Sequence, residues 1–381
     1  MMDDREKTLA SARTIVVKVG SAVLTTRQGL HLSVLYNLVE QLARLAASGR
    51  RVCLVSSGAV AAGRTALAGR GCTAEGMSGK QALAAIGQGR LMREYEHAFA
   101  AQGMVCAQVL LTRDDLRSRT RFLNARNTFM QLLDWGVVPI VNENDTVAVQ
   151  ELKFGDNDQL ASLLLNLVEA DLYINLTSAD GVLAVNPEKA VPGEPLPFLE
   201  CIDDIAHLDI EALCGAKTSV GTGGMQSKLM AARRAAQLGV PTLILPGRRA
   251  DILDRAFAGE KAGTWVRPCE HTVSRRKYWM AYQSDPQGTV LVDEGAARAL
   301  EEKGGSLLPG GIRDVEGSFE PGAMVLVVCG DTQIGVGLSN YSSEEIRRIK
   351  GLKRAEVAEI LGDVHYPEVI HRDNLLLHAA V

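Results

Sequence analysis

Six short runs, 14–19, 51–55, 104–111, 137–141, 172–176 and 241–245, are apolar at consecutive rather than alternate positions, and longer stretches with helical spacing separate them at 32–47, 80–100, 116–134, 159–168 and 226–238. A strand that is apolar on both faces must be covered on both faces. Alternation of such strands with helices is the pattern of an α/β fold, a mainly parallel sheet sandwiched by helices. Ligands of such sheets sit beyond the carboxyl ends of the strands. The polar, glycine-rich segments that follow the strands are therefore where chemistry is to be sought.

The texture changes near residue 283. Short runs at 288–292, 312–316, 323–329 and 333–338 are separated by turns rich in Gly, Pro and Asp, and helical spacing returns only at 294–303 and near 344–349. This predicts a small, mostly β barrel appended to the α/β unit. With 381 residues the chain exceeds one ordinary core. The expected division is 1–268, a connection at 269–286, and 287–381. Only 4% of residues are aromatic, so both cores must be built from aliphatic side chains. No apolar run approaches the ~20 residues of a membrane helix, and the charged N-terminus is unlike a secretory leader. Seven cysteines are scattered singly without a CxxC pair, which predicts reduced thiols, no zinc site and a cytoplasmic location. No metal-ligating cluster is expected.

Four strand-end segments share a ligand-binding character. Lys18-Val19-Gly20-Ser21 places a lysine at the end of a buried strand and a turn whose Gly20 and Ser21 N–H groups suit phosphate oxygens. Ser56-Ser57-Gly58-Ala59-Val60-Ala61-Ala62-Gly63 opens a helix with small residues, which suits either the approach of an anion or close helix–strand packing. Asn142-Glu143-Asn144-Asp145 and Lys153-Phe154-Gly155-Asp156-Asn157-Asp158 gather carboxylates, amides and a lysine, groups able to hold both ends of an amino acid. Gly221-Thr222-Gly223-Gly224-Met225-Gln226-Ser227-Lys228 is a glycine loop running into a helix with a lysine in its first turn. Neither a GK[ST]-closed phosphate loop nor a GxGxxG fingerprint occurs. Two phosphate-suited lysines without a Ser/His nucleophile pairing point to phosphoryl transfer. His371-Arg372-Asp373 imitates a protein-kinase catalytic loop but lies too near the C-terminus for the rest of that machinery.

Together these segments, with Arg121-Phe122-Leu123-Asn124-Ala125-Arg126, resemble the amino-acid kinase family from about Thr14 onward. The tail, with Val292-Asp293-Glu294-Gly295-Ala296 and Gly305-Ser306-Leu307-Leu308-Pro309-Gly310-Gly311-Ile312, resembles a PUA domain. Within the family the resemblance is to members that phosphorylate the side-chain carboxylate of L-glutamate, the first step of proline biosynthesis. It implies ATP as co-substrate, Mg²⁺, inhibition by proline, and a homo-oligomer, dimer or tetramer, built through the first domain. It further implies that Lys18 and Lys228 contact the ATP phosphates and that Asp158 holds both lysines. Ser57, Asp145 and Asn157, with Asn142 and Lys153 nearby, would bind glutamate. Thr177 and Ser178, with Gly20, Ser21, Gly221, Thr222, Gly223, Gly224 and Met225, would line the nucleotide site. Many members carry Asp directly after the threonine; Ser178 stands there in this chain, with Asp180 two residues on.

Two other functions are compatible with parts of the sequence. A PUA-like tail can bind RNA, but residues 287–381 hold nine Lys and Arg against fifteen Asp and Glu, the opposite of a basic footprint. Arg347, Arg348, Lys350, Lys353 and Arg354 are a local exception, at the spacing of a solvated helix face. Alternatively, the acceptor is aspartate or another amino acid, since pocket depth is not written in a motif.

Overall fold

The computed structural model describes residues 3–26, 28–69, 76–148, 156–186, 196–214, 224–270, 272–283, 286–362 and 366–377. They belong to two compact units, Met1–Thr272 and Val273–Val381.

The first unit is built on eight strands: β1 (Thr14–Val19), β2 (Arg51–Val55), β3 (Cys106–Leu111), β4 (Val138–Glu143), β5 (Leu172–Thr177), β6 (Cys201–Ile202), β7 (Thr242–Pro246) and β8 (Thr264–Val266). They form one sheet in the order β6-β8-β7-β5-β1-β2-β4-β3. The six expected strands are all present and mutually parallel. β8 runs antiparallel to β7, and β6 follows β8. These two were not expected, because two or three residues are too few to display a period. β1, β4, β5 and β7 are buried along their whole length, which is why their sequences do not alternate. The strand order turns at β1, which pairs with β5 on one side and β2 on the other. Lys18 thereby lies opposite Asn175 and Val55.

The helices that position the site are α1 (Leu32–Ala47), α2 (Ala59–Ala66), α3 (Gly76–Ala101), α4 (Arg119–Asp134), α5 (Asn157–Leu167) and α6 (Met225–Gln237). Burial of Leu35, Leu38, Val39, Leu42 and Leu45 on α1 follows the helical period. The single helix expected at 116–134 is two. A capping box between Thr112 and Asp115 starts Arg113–Arg117, and Ser118, extended at φ −68°, ψ 118°, separates it from α4. The small residues of 56–63 serve a helix–helix crossing at Gly63. A Cβ on Gly63 would sit 1.9 Å from the Leu83 carbonyl oxygen, and one on Gly87 only 1.7 Å from that of Ala59. Gly58 caps α2 at φ +107°, a conformation that glycine alone adopts readily.

The second unit is a five-stranded mixed sheet of β9 (Gly288–Val292), β10 (Ile312–Gly317), β11 (Met324–Cys329), β12 (Thr332–Leu338) and β13 (Leu375–Leu377), ordered β10-β9-β11-β12-β13. This is the mostly β unit that was expected; its edge strands, β10 and β13, are not paired with each other among the described residues. Val290, Val325, Val327, Ile346, Ile349 and Val369 centre its aliphatic core. The stretch 269–286 contains a helix, Arg275–Gln283, with Tyr278 and Met280 buried. His371-Arg372-Asp373 enters a 3-10 turn in which the His371 ring accepts from the Asp373 N–H, a local structural role. No helix among the described residues is long and apolar enough to cross a membrane.

Candidate active site

Asp158 is the hub. It is the second residue of α5, whose N-cap Asp156 accepts from the N–H groups of Asp158 and Gln159 at 2.9 and 3.0 Å, which fixes the direction in which the helix leaves the crevice. The carboxylate of Asp158 is fully buried. Its Oδ1 lies 2.7 Å from Lys18 Nζ and its Oδ2 2.9 Å from Lys228 Nζ. Two further donors complete it: Asn175 Nδ2 at 2.6 Å to Oδ1, and Ser227 Oγ at 3.0 Å to Oδ2. Asn175 Nδ2 also donates to the Tyr173 hydroxyl at 2.8 Å.

Four structural elements thus meet at one carboxylate: the end of β1, the middle of β5, the start of α5 and the first turn of α6. Burial alone would raise the Asp158 pKa, but the charges and hydrogen bonds of Lys18 and Lys228 outweigh it and hold the carboxyl at about 2. Burial pushes the Lys18 amine below the ordinary lysine value, against the pull of Asp158 and assisted by the like charge of Lys228. Two lysines thus share one buried carboxylate at a site nearly closed to water. Charges buried in this way are costly unless paired, and a phosphate reaching both amines would share them.

Beside this hub lies an amide cluster. Asn157, the first residue of α5, offers its Nδ2 to the Ser56 carbonyl at 2.7 Å, to Ser57 Oγ at 2.9 Å and to Asn142 Oδ1 at 2.9 Å, two protons shared among three acceptors. Asn142 Nδ2 in turn donates to Gln88 Oε1 at 2.9 Å. Ser56 Oγ and the Tyr95 hydroxyl, both buried, are 2.8 Å apart. Because Asn157 and Asp158 are consecutive, the amide cluster and the lysine pair share one crevice.

The expected site residues therefore divide. Lys18, Lys228 and Asp158 meet, as do Ser57, Asn142 and Asn157. Asp145 is half-buried in the turn that follows β4. Thr177 is buried at the end of β5, its carbonyl accepting from the Gly247 N–H at 2.7 Å, and Ser178 beyond it is exposed. Gly224 caps α6 with no side-chain cap bond, which leaves the helix N-terminus suited to an anion, and Met225 is half-buried behind it. Gly20 follows β1 directly. Its N–H donates to the Leu176 carbonyl at 3.3 Å and so ties β1 to β5; Ser21 starts the short helix Ser21–Leu24. Lys153, Gly221, Thr222 and Gly223 lie outside the described residues.

Asn175, Tyr173, Ser227, Gln88 and Tyr95 were not expected at the site. Asn175 could have been noticed as an amide within an otherwise apolar strand, Leu172–Thr177. Gln88 and Tyr95 carry no such mark, being polar residues on a long helix.

Among the described residues no cluster of three or more His, Cys, Asp or Glu could hold a metal ion. Both oxygens of Asp158 are already engaged by lysines. The donor set fits a magnesium ion that arrives on nucleotide phosphates better than one caged by protein.

Residues 13–246 match the amino acid kinase family and residues 288–361 the PUA domain. The glutamate 5-kinase of Nitratidesulfovibrio vulgaris (strain DP4) is 66% identical over 380 residues, covering 100% of this chain and 99% of that one. The glutamate 5-kinase of Geobacter sulfurreducens is 48% identical over 376 residues, covering 98% and 100%. Among solved structures, carbamate kinase from Giardia lamblia bound to AMP-PNP superimposes with a TM-score of 0.50 at 18% identity, covering 68% of this chain and 100% of that one, a likeness of fold.

Proposed function

We propose, from the premise that this chain belongs to the amino acid kinase family and carries a PUA domain, that it transfers the γ-phosphoryl group of ATP to the side-chain carboxylate of L-glutamate. Glutamate 5-kinases that align end to end with it support the substrate. The observation that carries the mechanism is the buried triad in which Asp158 holds Lys18 and Lys228 at 2.7 and 2.9 Å.

The acceptor is ionised at neutral pH, since an ordinary glutamate pKa is ~4.3, so the nucleophile needs no general base. Its oxygen forms a bond to the γ-phosphorus as the bond to the ADP oxygen breaks, and ADP leaves with that electron pair. The obstacle is repulsion between two anions, and what the protein supplies is position and positive charge. Lys18 and Lys228 meet the phosphate oxygens from opposite sides of Asp158, whose carboxylate fixes their separation. The N-terminus of α6 adds its dipole. Mg²⁺ arriving with the nucleotide would neutralise further phosphate charge. Asn157, Ser57, Asn142 and Asp145, with Lys153, hold the amino acid in line, and Thr177, Ser178 and the 221–225 loop hold the nucleotide. The product, γ-glutamyl phosphate, is a mixed anhydride that commits glutamate to proline synthesis. Proline inhibits by competing at the glutamate pocket, the enzyme is cytoplasmic, and it assembles as a dimer or tetramer through its first unit.

The test is an incubation of the protein with ATP, Mg²⁺, glutamate and hydroxylamine, with aspartate and N-acetylglutamate as parallel acceptors. Hydroxamate from glutamate alone, abolished in Lys228→Ala, is the expected result. Product only from another acceptor would overturn the substrate, and glutamate saturation curves unmoved by millimolar proline would remove the inhibition. Ser178 leaves a hydroxyl where many relatives carry a carboxylate, so Ser178→Asp is expected to lower the Michaelis constant for ATP; an unchanged value removes that role.

A further inference from the structure

We infer that Gln88, on α3, is a positioning residue for the acceptor pocket: it sets the orientation of the Asn142 amide and, through it, of Asn157. The inference rests on the proposal that this cluster holds the amino-acid acceptor.

One group of unambiguous chemistry orients every amide in the chain. The backbone N–H of Glu143 can only donate, and it reaches the side chain of Asn142 at 3.0 Å, so that atom is the carbonyl oxygen Oδ1. The other end of Asn142 is therefore its NH₂, which faces Gln88 at 2.9 Å and requires Oε1 there. Reversing Gln88 would set two NH₂ groups against each other. The same Asn142 Oδ1 accepts from Asn157 Nδ2 at 2.9 Å, which aims the Asn157 NH₂ at Ser57 and the Ser56 carbonyl as well. The polarity runs one way, from Asn157 to Asn142 to Gln88.

Gln88 makes this bond at a cost. It is only 8% exposed, and its Nε2 is buried without a hydrogen-bond partner among the described residues. A buried, unsatisfied NH₂ is unfavourable, and an apolar side chain would fill the position without that cost. What the amide adds is its oxygen toward Asn142. Its setting on α3 fits that role. One heptad earlier Gln81 Nε2 donates to the Ala148 carbonyl at 3.1 Å, and one heptad later the Tyr95 hydroxyl meets Ser56. Seven residues are about two helical turns, so one face of α3 lies along the segments that follow β2 and β4 and braces each with a polar side chain. Gly87, beside Gln88, brings α3 into backbone contact with α2 and fixes its depth.

The test compares Gln88→Met, Asn142→Ala and the double variant in steady-state kinetics on the full-length protein. Methionine keeps helix propensity and approximate length while removing both polar ends. Gln88→Met is expected to raise the Michaelis constant for glutamate roughly five- to thirtyfold and to leave that for ATP within about twofold. It should add nothing to the effect of Asn142→Ala, because it acts through Asn142. Additive effects, equal rises for both substrates, or an unchanged glutamate constant beside a defective Asn142→Ala would each overturn the inference. If Asn142→Ala itself leaves glutamate saturation intact, the acceptor pocket is misplaced, a separate failure. Should Gln88→Met not fold, Gln88→Asn, which keeps polarity but withdraws the oxygen by one methylene, is read by the same criteria.

Discussion

The lysines at the head of the first unit and the basic cluster of the second carry the same charge and obey opposite rules. Lys18 and Lys228 are buried and share a carboxylate that is 0% exposed. In the second unit, Lys350 reaches Asp314 at 2.7 Å with both groups partly in water, and Arg347 and Arg348 donate to the backbone carbonyls of Gly317 and Ile360. Exposed pairs contribute ~0–1 kcal/mol. Two buried cations gathered on one carboxylate are expensive to desolvate, and such clusters are found preferentially at functional sites. The cluster's helical spacing and the domain's acidic balance both pointed to a solvated face, and the bonds of these three side chains agree.

The sharpest way to break this contrast is Asp158→Ala. With the shared carboxylate gone, Lys18 and Lys228 stay buried without the group that joins them, and a loss of ~3–5 kcal/mol is expected in denaturant unfolding, together with loss of hydroxamate formation. A variant of unchanged stability would show that the triad is solvated after all. Gly87→Ala tests the packing behind the pocket. Its new Cβ would fall 1.7 Å from the Ala59 carbonyl oxygen, so α2 and α3 must separate, at a cost of ~1–3 kcal/mol.

Acid titration separates the two regions more finely. The Asp158 carboxyl is depressed from 3.8 to about 2 in the folded protein. Its stabilisation is therefore complete above its unfolded value and is lost as pH falls from there toward 2, amounting to on the order of 2 kcal/mol. Asp158→Asn should flatten that part of the pH–stability curve. On the alkaline side, Lys18 loses its proton below the ordinary lysine value, so activity should decline at a lower pH than an exposed lysine would dictate. The smallest effect belongs to Lys350→Ala: less than ~1 kcal/mol, further reduced in high salt, with kinase activity unaltered.

The sequence by itself determined the framework. Unbroken apolar runs require covering on both faces, so the six parallel strands and their helices were legible within a few residues, as was the change of texture at the second unit. Lys18 and Lys228 were legible too, because they stand in motifs at a strand end and a helix start, whereas the part of Asp158 between them came only with the family resemblance. Only the tertiary structure decided which groups share an atom. Residues 18, 158, 175 and 227–228 converge because β1 and β5 are sheet neighbours and α5 and α6 begin at the same edge, a relation carried by no local spacing. The same holds for Gly20, whose N–H is spent on the neighbouring strand, and for Gln88, fifty-four residues from the asparagine it orients. Periodicity reports which face of an element is buried; the direction of a hydrogen bond is settled only when two distant segments meet.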